Sequence, residues 1–391
     1  MTDAKKLSTL AAHAGSPDGP NAPLTTPIVQ STTFRFASAA ELQRYYEGGT
    51  QGGLYLYSRD ENPTVRAAEQ ALAKLEGGER AILFGSGMGA MATALFGLLS
   101  AGDEVIASSA IYGGTHKLLR DHLGRFGVVL RRVDPARLAD EVRERRGTAK
   151  VCVFESPINP NLRLADIEAV AKACREAGTI SVMDSTFGTP ALQRPLALGI
   201  DLVMHSTTKF LNGHSDHLGG ALIGSAKIVD KLWHTAVELG ASMDPQVAFD
   251  LIRGLKTFPL RVERQCASAL QIARWLAERK DVNAVHFPGL PTHPDHALAK
   301  KQMSAFGGMV TFSIGTKERA FSFFDRLQVI ARAASLGGVE SLCSLPILTS
   351  HTNMSPAELA AAGVDEGMVR LSIGLEDVDD LIADLDQALR G

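Results

Sequence analysis

Cysteine is scarce in this chain and is not arranged in pairs. Cys152, Cys174, Cys266 and Cys343 are scattered through 391 residues with no CxxC spacing, which leaves no disulfide framework to read and fits a reducing compartment. No apolar window approaches the ~18–20 residues that cross a bilayer. The N-terminus lacks the charged-then-apolar pattern of an export segment. A cytoplasmic protein without a membrane partner is the expectation. A dominant charge is missing too: 40 Lys and Arg stand against 43 Asp and Glu, a net charge of −3, with no basic run of five or more. Nucleic acid and anionic membranes are therefore poor partners. No repeat of fixed period is present either. What the chain does have is length and 45% hydrophobic content, enough to bury a large core and divide it into two domains.

The most informative stretch is Val203-Met204-His205-Ser206-Thr207-Thr208-Lys209, where an apolar strand ends abruptly in polar residues. A lysine at such a place is either an ordinary solvated loop residue or a shielded amine able to form a Schiff base with a carbonyl cofactor. Its neighbours decide between these readings.

The first sixty residues read as an arm. Pro17, Pro20, Pro23 and Pro27 precede a glycine-rich run at 48–53, with almost no sustained amphipathic period. The arm ends in Tyr57-Ser58-Arg59, whose aromatic and cationic side chains would share one face of extended backbone and suit an anion, or simply lie on the surface. Regular alternation begins at Val65. The pattern predicts strands over 81–84, 104–108, 128–133, 150–154, 179–183 and 202–206, with helices over 65–75, 115–126, 135–144 and 165–177 between them. Such alternation makes a mostly parallel sheet covered on both faces. Ligands of such sheets sit outside the carboxyl ends of the strands.

Four polar features fall at those ends. Gly85-Ser86-Gly87-Met88-Gly89 opens a helix after a strand, offering free amides and a positive dipole end to a single phosphate. It lacks the Lys-Ser/Thr of a P-loop and the G-x-G-x-x-G of a dinucleotide site. Glu155 to Asn159 follows another strand. Asp184 ends a third, where a carboxylate needs a cation or donors, a pyridinium nitrogen or the following amides, to offset its desolvation. Ser206 to Lys209 is the fourth. Tyr112, ahead of Gly113-Gly114, would lay its ring on a flat cofactor or simply pack.

Beyond Gly224, a long helical stretch over 245–280, broken near Phe258-Pro259, leads into a smaller α+β unit. Its predicted strands are 282–287, 309–314, 329–334 and 368–373, and its helices 318–327 and 377–389. Arg370, inside an apolar strand, calls for a carboxylate partner, either a ligand or an internal ion pair. His214/His217 and His293/His296 have H-x-x-H spacing, but two ligands without a third make no metal site.

Taken together, these residues resemble the Cys/Met-metabolism family of pyridoxal-phosphate (PLP) enzymes, the group of cystathionine γ-synthase, cystathionine γ- and β-lyases and methionine γ-lyase. The resemblance rests on Tyr57-Ser58-Arg59, Ser86-Gly87-Met88, Tyr112-Gly113-Gly114, Glu155-Ser156-Pro157 with Asn159-Pro160, Asp184-Ser185-Thr186, Ser206-Thr207-Thr208-Lys209, Ser335-Leu336-Gly337-Gly338 and Arg370-Leu371-Ser372. It runs from about Thr26 to the final helix. It implies a fold-type-I, aspartate-aminotransferase-like α/β architecture, with an arm over 1–60, a PLP-binding large domain over 61–250 and a small domain over 251–391.

The same resemblance implies roles. Lys209 would hold PLP as an internal aldimine, Asp184 would keep the pyridine nitrogen protonated, and Tyr112 would stack on the ring and exchange protons. Gly87, Met88, Ser206 and Thr208 would cradle the phosphate, completed by Tyr57 and Arg59 from a neighbouring subunit in a homotetramer built as a dimer of dimers. Asn159 would lie by the phenolic oxygen, Arg370 would bind the substrate carboxylate, and Ser335 would line the site. The expected reaction is α,γ-elimination or replacement on a γ-substituted amino acid, cystathionine first, with methionine or homoserine-derived substrates and cystathionine β-elimination as alternatives. A PLP-binding regulator with little turnover is the reading from another class. Two departures bear on substrate: Leu56 stands where cystathionine enzymes usually carry an acid, and Gly114 where methionine γ-lyases usually carry Cys.

Overall fold

The computed structural model describes residues 5–17, 19–48, 53–349, 352, 359 and 363–390. The larger of two sheets has seven strands, β1 (Arg80–Phe84), β2 (Glu104–Ser108), β3 (Val129–Val133), β4 (Ala149–Glu155), β5 (Ile180–Asp184), β6 (Leu202–His205) and β7 (Gly220–Gly224), in the order β1-β7-β6-β5-β4-β2-β3. The pairs β2·β3, β2·β4, β4·β5 and β5·β6 are parallel. Strands buried on both faces read as continuous apolar runs, which is why these lie within a residue or two of their expected limits.

β7 was not expected. It pairs antiparallel with β1 and β6, and its Gly219-Gly220-Ala-Leu-Ile-Gly sequence reads as a turn. The glycine has a steric cause, because a Cβ on Gly220 would lie 2.2 Å from the carbonyl oxygen of Ser86. The strand thus packs directly against the turn that opens helix Gly87–Leu98.

Three expectations about helices are corrected. The arm contains helices Leu7–Ala12 and Ala39–Gly48, though most of the expected glycine run, 49–52, lies outside the described residues. The segment 115–126 is three pieces, an α-turn (Gly113–Lys117), a π-turn (Leu118–His122) and a 3-10 turn (Leu123–Phe126). Leu118, Leu119 and Leu123 point inward from it, and the wider π-turn accommodates that register. Helix Pro245–Ala277 runs through Pro259 without a break. A proline costs such a helix about 3 kcal/mol, and the buried stripe Leu251, Leu255, Phe258 and Val262 offsets it.

The smaller sheet has five strands, β8 (Ala284–His286), β9 (Met309–Ser313), β10 (Ala331–Arg332), β11 (Leu342–Ser344) and β12 (Met368–Ser372), in the order β10-β11-β12-β9-β8. Strand β11 was not among the expected strands, being three residues long between Ser341 and Leu345-Pro346. Helices Lys317–Arg326 and Pro245–Ala277 pack on this sheet, and helix Val378–Arg390 packs against both of them. Among the described residues no helix is long and apolar enough to cross a membrane.

Candidate active site

The carboxyl ends of β1, β4, β5 and β6 converge on a cavity of about 630 Å³. Ten residues singled out in the sequence line it together: Gly87, Met88, Tyr112, Asn159, Asp184, Ser206, Thr208, Lys209, Ser335 and Arg370. Tyr57 and Arg59 do not. They lie half-exposed on the arm, 43% and 54% accessible, with the guanidinium 5.5 Å from the tyrosine ring and 3.6 Å from Asp60.

One end of the cavity is built for an anion. Asn62 caps helix Pro63–Glu76 at the base of the arm, whereas Ser86 caps helix Gly87–Leu98 by accepting from the Gly89 amide at 3.0 Å. The Gly87 and Met88 amides, in the first turn, have no partner inside the helix. A Cβ on Gly87 would meet the Ser206 side chain at 3.0 Å, so glycine is what lets the amides and that hydroxyl come together. The Thr208 hydroxyl is anchored by Gly219, donating to its carbonyl at 3.2 Å and accepting from its amide at 2.9 Å.

The middle of the cavity holds a carboxylate and an amine whose ionisation is disfavoured. Burial raises the Asp184 carboxyl above its ordinary value despite hydrogen bonds from Thr186, one of them the amide at 3.0 Å. No cationic side chain among the described residues lies within ion-pair distance of it. Burial, and then the charge of Arg370, lower the Lys209 ammonium. Its Nζ donates to Ser335 Oγ at 2.7 Å. Ser335 itself has a positive φ of 111°, a conformation L residues adopt at a cost of about 1–3 kcal/mol where surroundings impose it. Two residues on, a Cβ at Gly337 would lie 2.5 Å from the Phe210 amide nitrogen, so this loop runs directly against the residue after Lys209.

At the other end Arg370, 6% exposed, donates through Nη1 to Asn159 Oδ1 at 2.8 Å and through Nη2 to the Ser335 carbonyl at 3.2 Å. Burial pushes it down to about 10. The internal ion pair considered from sequence is absent, since no carboxylate among the described residues is within bridging distance. A buried guanidinium satisfied only by neutral acceptors is a site for a carboxylate from outside.

Of the histidine pairs, His214 Nδ1 faces the Asn212 carbonyl and His296 Nδ1 the Pro288 carbonyl, both within the protein's own hydrogen bonding. No group of three or more metal-ligating side chains exists among the described residues.

Over residues 8–390 the chain matches the family described as Cys/Met metabolism PLP-dependent enzyme. The chain belongs to that family. It is 43% identical to an L-methionine γ-lyase of Pseudomonas putida, covering 98% of this chain and 97% of that protein. It is 40% identical to a cystathionine β-lyase of Coxiella burnetii over 98% of this chain and 97% of the relative. A solved cystathionine γ-synthase from Xanthomonas oryzae superposes with a TM-score of 0.92 at 38% identity, covering 99% and 98% of the two chains.

As a member of this family the protein is a fold-type-I, PLP-dependent enzyme of sulfur amino acid chemistry, cleaving or forming carbon–sulfur bonds. The cavity fits the cofactor on its own terms. An anion cradle lies at one end, and an uncompensated buried carboxyl and a lysine whose ammonium burial disfavours lie between it and the carboxylate site.

Two residues that matter here were given no role from sequence, although Glu155 stood among the polar features at the strand ends. Glu155, buried at the end of β4, lines the cavity and accepts from the amides of Tyr112 and Asn159. The signal was present, since it is an acid ending an apolar run as Asp184 is. Arg261, 4% exposed on helix Pro245–Ala277, donates to the carbonyls of Phe210 (2.9 Å), Leu211 (3.2 Å) and Gly254 (2.8 Å). Nothing in the sequence pointed to it, because its acceptors are main-chain atoms, two of them about fifty residues away.

Proposed function

We propose that this enzyme catalyses α,γ-elimination on L-amino acids bearing an uncharged γ-substituent, with L-methionine as the reference substrate. The observation that carries this reading is the apolar share of the cavity lining. It is Phe187, Leu218, Leu336 and Leu348, and the carboxylates that line the cavity, Glu155 and Asp184, both stand at the strand ends. Leu56 in the arm adds no acid either. A distal ammonium such as that of cystathionine would find no acid to pair with among these four side chains. A thioether needs none.

Gly114 is not an obstacle to this reading. A Cβ there would come within 2.6 Å of the Tyr112 ring and 2.9 Å of Met88 Sδ, so the glycine leaves Tyr112 its place over the cavity and widens the room beside it. Longer thioethers should therefore be accepted too. Cystathionine remains the second reading, supported by the Ser335-Leu336-Gly337-Gly338 run and by the cystathionine enzymes among the relatives.

In this reading the bound cofactor supplies an electron sink that stabilises negative charge at Cα and Cβ. Lys209 would hold it, Asp184 would face its ring nitrogen, and the Gly87 and Met88 amides with Ser206 and Thr208 would receive its phosphate. Arg370, steadied by Asn159 and Ser335, binds the substrate carboxylate and so aims the Cα–H bond. The Lys209 amine takes the Cα proton and then a Cβ proton, its basicity lowered by burial. Tyr112 delivers a proton to the departing sulfur. The products from methionine and one water are methanethiol, ammonia and 2-oxobutanoate.

The arm, large domain and small domain are taken as 1–60, 61–250 and 251–391. We assign the half-exposed Tyr57 and Arg59 to the phosphate of an adjacent copy, so that each site includes Tyr57 of the partner subunit and Arg59 of the partner subunit in a homotetramer. Leu24, 88% exposed, and Tyr46, 71% exposed, lie on the same arm and support a covered face there. A cytoplasmic location agrees with the dispersed, reduced cysteines.

Release of 2-oxo acid, ammonia and thiol from L-methionine, L-ethionine, L-cystathionine, L-cysteine and O-acyl homoserines tests the reading. The expected order has methionine and ethionine above cystathionine in kcat/KM. A tenfold preference for cystathionine would overturn it.

A further inference from the structure

The last residue of β4 faces Asp184 across the sheet in parallel register. Glu155 is 6% exposed, yet its two oxygens turn away from Asp184's partners and go to two separate loops. Oε2 accepts from the Tyr112 amide at 2.8 Å, and Oε1 accepts from the Asn159 amide at 3.0 Å. Tyr112 stands at the start of helix Gly113–Lys117, after β2. Asn159 belongs to the turn after β4 and passes its own side-chain oxygen to Arg370.

We propose that Glu155 is a positioning residue for the reaction, a single buried carboxyl that sets the distance between the tyrosine that covers the cofactor and the arginine that takes the substrate carboxylate. The proposal rests on the PLP reading of this cavity. Without the carboxyl, the Tyr112 and Asn159 amides would each be left in a dry site with no acceptor. Their loops would move to find one. The Asn159 shift would reach Arg370, whose remaining fixed acceptor is the Ser335 carbonyl, on the loop whose hydroxyl takes Lys209 Nζ. Glu155 therefore sits at the head of a chain of contacts ending at the reactive lysine.

The electrostatics are compatible with this role. Burial, and next the negative charge of Asp184, push Glu155 up to about 8, against the two amides that pull it down. Burial raises Asp184 as well. Glu155 is set apart from it by geometry, with both oxygens given to the two loop amides.

The test uses the holoenzyme with Glu155→Gln and Glu155→Ala. Glutamine keeps the size and one acceptor, but its NH2 group faces the other amide and cannot accept from it. Binding of glycine, which has the carboxylate but no leaving group, is compared with binding of ethylamine, which lacks the carboxylate, both followed by the change in the cofactor's visible band. For Glu155→Ala the expected result is about tenfold weaker glycine binding, ~1.4 kcal/mol, and under about twofold change for ethylamine. The cofactor's visible circular dichroism should also shift as Tyr112 moves. Glu155→Gln should lie between, at roughly threefold on the same constant, with unchanged thermal stability. Equal weakening of both ligands in Glu155→Gln, or an unchanged glycine affinity in either variant, would overturn the proposal. A wild-type protein that forms no coloured complex with PLP would instead overturn the reading on which it rests.

Discussion

Arg261 touches neither the cavity nor any residue proposed for chemistry, yet its removal should disable the site. Its guanidinium is held by three carbonyls and by the Thr257 hydroxyl at 3.1 Å, with no carboxylate. Two of those carbonyls belong to the residues directly after Lys209. Gly213 is glycine for the same reason: at φ +73° a Cβ would come 1.6 Å from Arg261 Nη1. Arg261→Met keeps the length and apolar stem but removes four hydrogen bonds to a charged donor, at ~1.5–3 kcal/mol each. Against this stands the relief of a buried charge. Burial alone lowers the Arg261 guanidinium to about 10, which converts to roughly 3 kcal/mol. The low end of the first figure, ~6 kcal/mol for the four bonds, less the second leaves a net loss near ~3 kcal/mol. With an unfolding entropy of ~2.1 cal/mol/K per residue, the whole chain gives about 0.8 kcal/mol/K, so Tm should fall by about 3–4 °C. Because the freed carbonyls lie next to Lys209, kcat should fall by ten- to hundredfold, on the order of what misplacing a catalytic group costs. Differential scanning calorimetry and initial rates at saturating PLP measure both. A Tm within about 1 °C of wild type together with unchanged kcat would refute the reasoning, since it would mean the loop holds its shape without the guanidinium.

Three further outcomes are expected. Lys209→Ala should lose turnover by more than about a thousandfold, the scale of losing a covalent-catalysis residue, while still binding PLP noncovalently through the phosphate cradle, as read by absorption after gel filtration. Mixing inactive Lys209→Ala with inactive Arg59→Ala subunits, after partial denaturation and reassembly, should restore activity if Arg59 serves a neighbouring site, and no recovery would count against shared sites. Glu69, hydrogen-bonded to the Leu83 amide and 3.6 Å from Arg66, is raised from 4.5 to about 7, first by burial, with Glu61 adding to it and Arg66 and Arg80 opposing it. The folded chain then holds a proton that the unfolded chain loses between about pH 4.5 and 7, so stability falls as pH rises through that window and levels off above it. Its side chain keeps 13% exposure, so about half of the nominal ~3 kcal/mol is expected. The Tm difference between wild type and Glu69→Gln should drift by about 2 °C from pH 5 to 8, and parallel curves would contradict it.

Much of this architecture was legible because it depends on local chemistry. The strand Glu104–Ser108 has its expected limits, and β4, β5 and β6 lie within a residue of theirs, because buried parallel strands must be apolar throughout. Gly87, Asp184 and Lys209 stood out because each breaks such a run with a group that needs a partner. The misses share a different cause. β7 consists of a glycine-rich sequence that only the Ser86 turn makes into a strand, and Pro259 sits in a helix that its apolar stripe holds together. The arm helices are short, and Leu7–Ala12 packs against the long helix Pro245–Ala277 rather than standing by its own period.

By itself, then, the sequence determined the alternation of strands and helices, the chemical kinds of group at the strand ends, and the family to which they belong. Period, propensity and composition are local properties, and each residue carries its own chemistry wherever it is placed. Only the tertiary structure decided that Arg370 lacks an internal acid and leans on Asn159, and that Glu155 joins two loops. It alone decided that Arg261 holds the backbone behind Lys209 and that Tyr57 and Arg59 lie outside their own chain's cavity. Those facts depend on distances between residues tens to hundreds of positions apart, and on which buried polar atoms find partners, quantities that packing sets and no local pattern encodes.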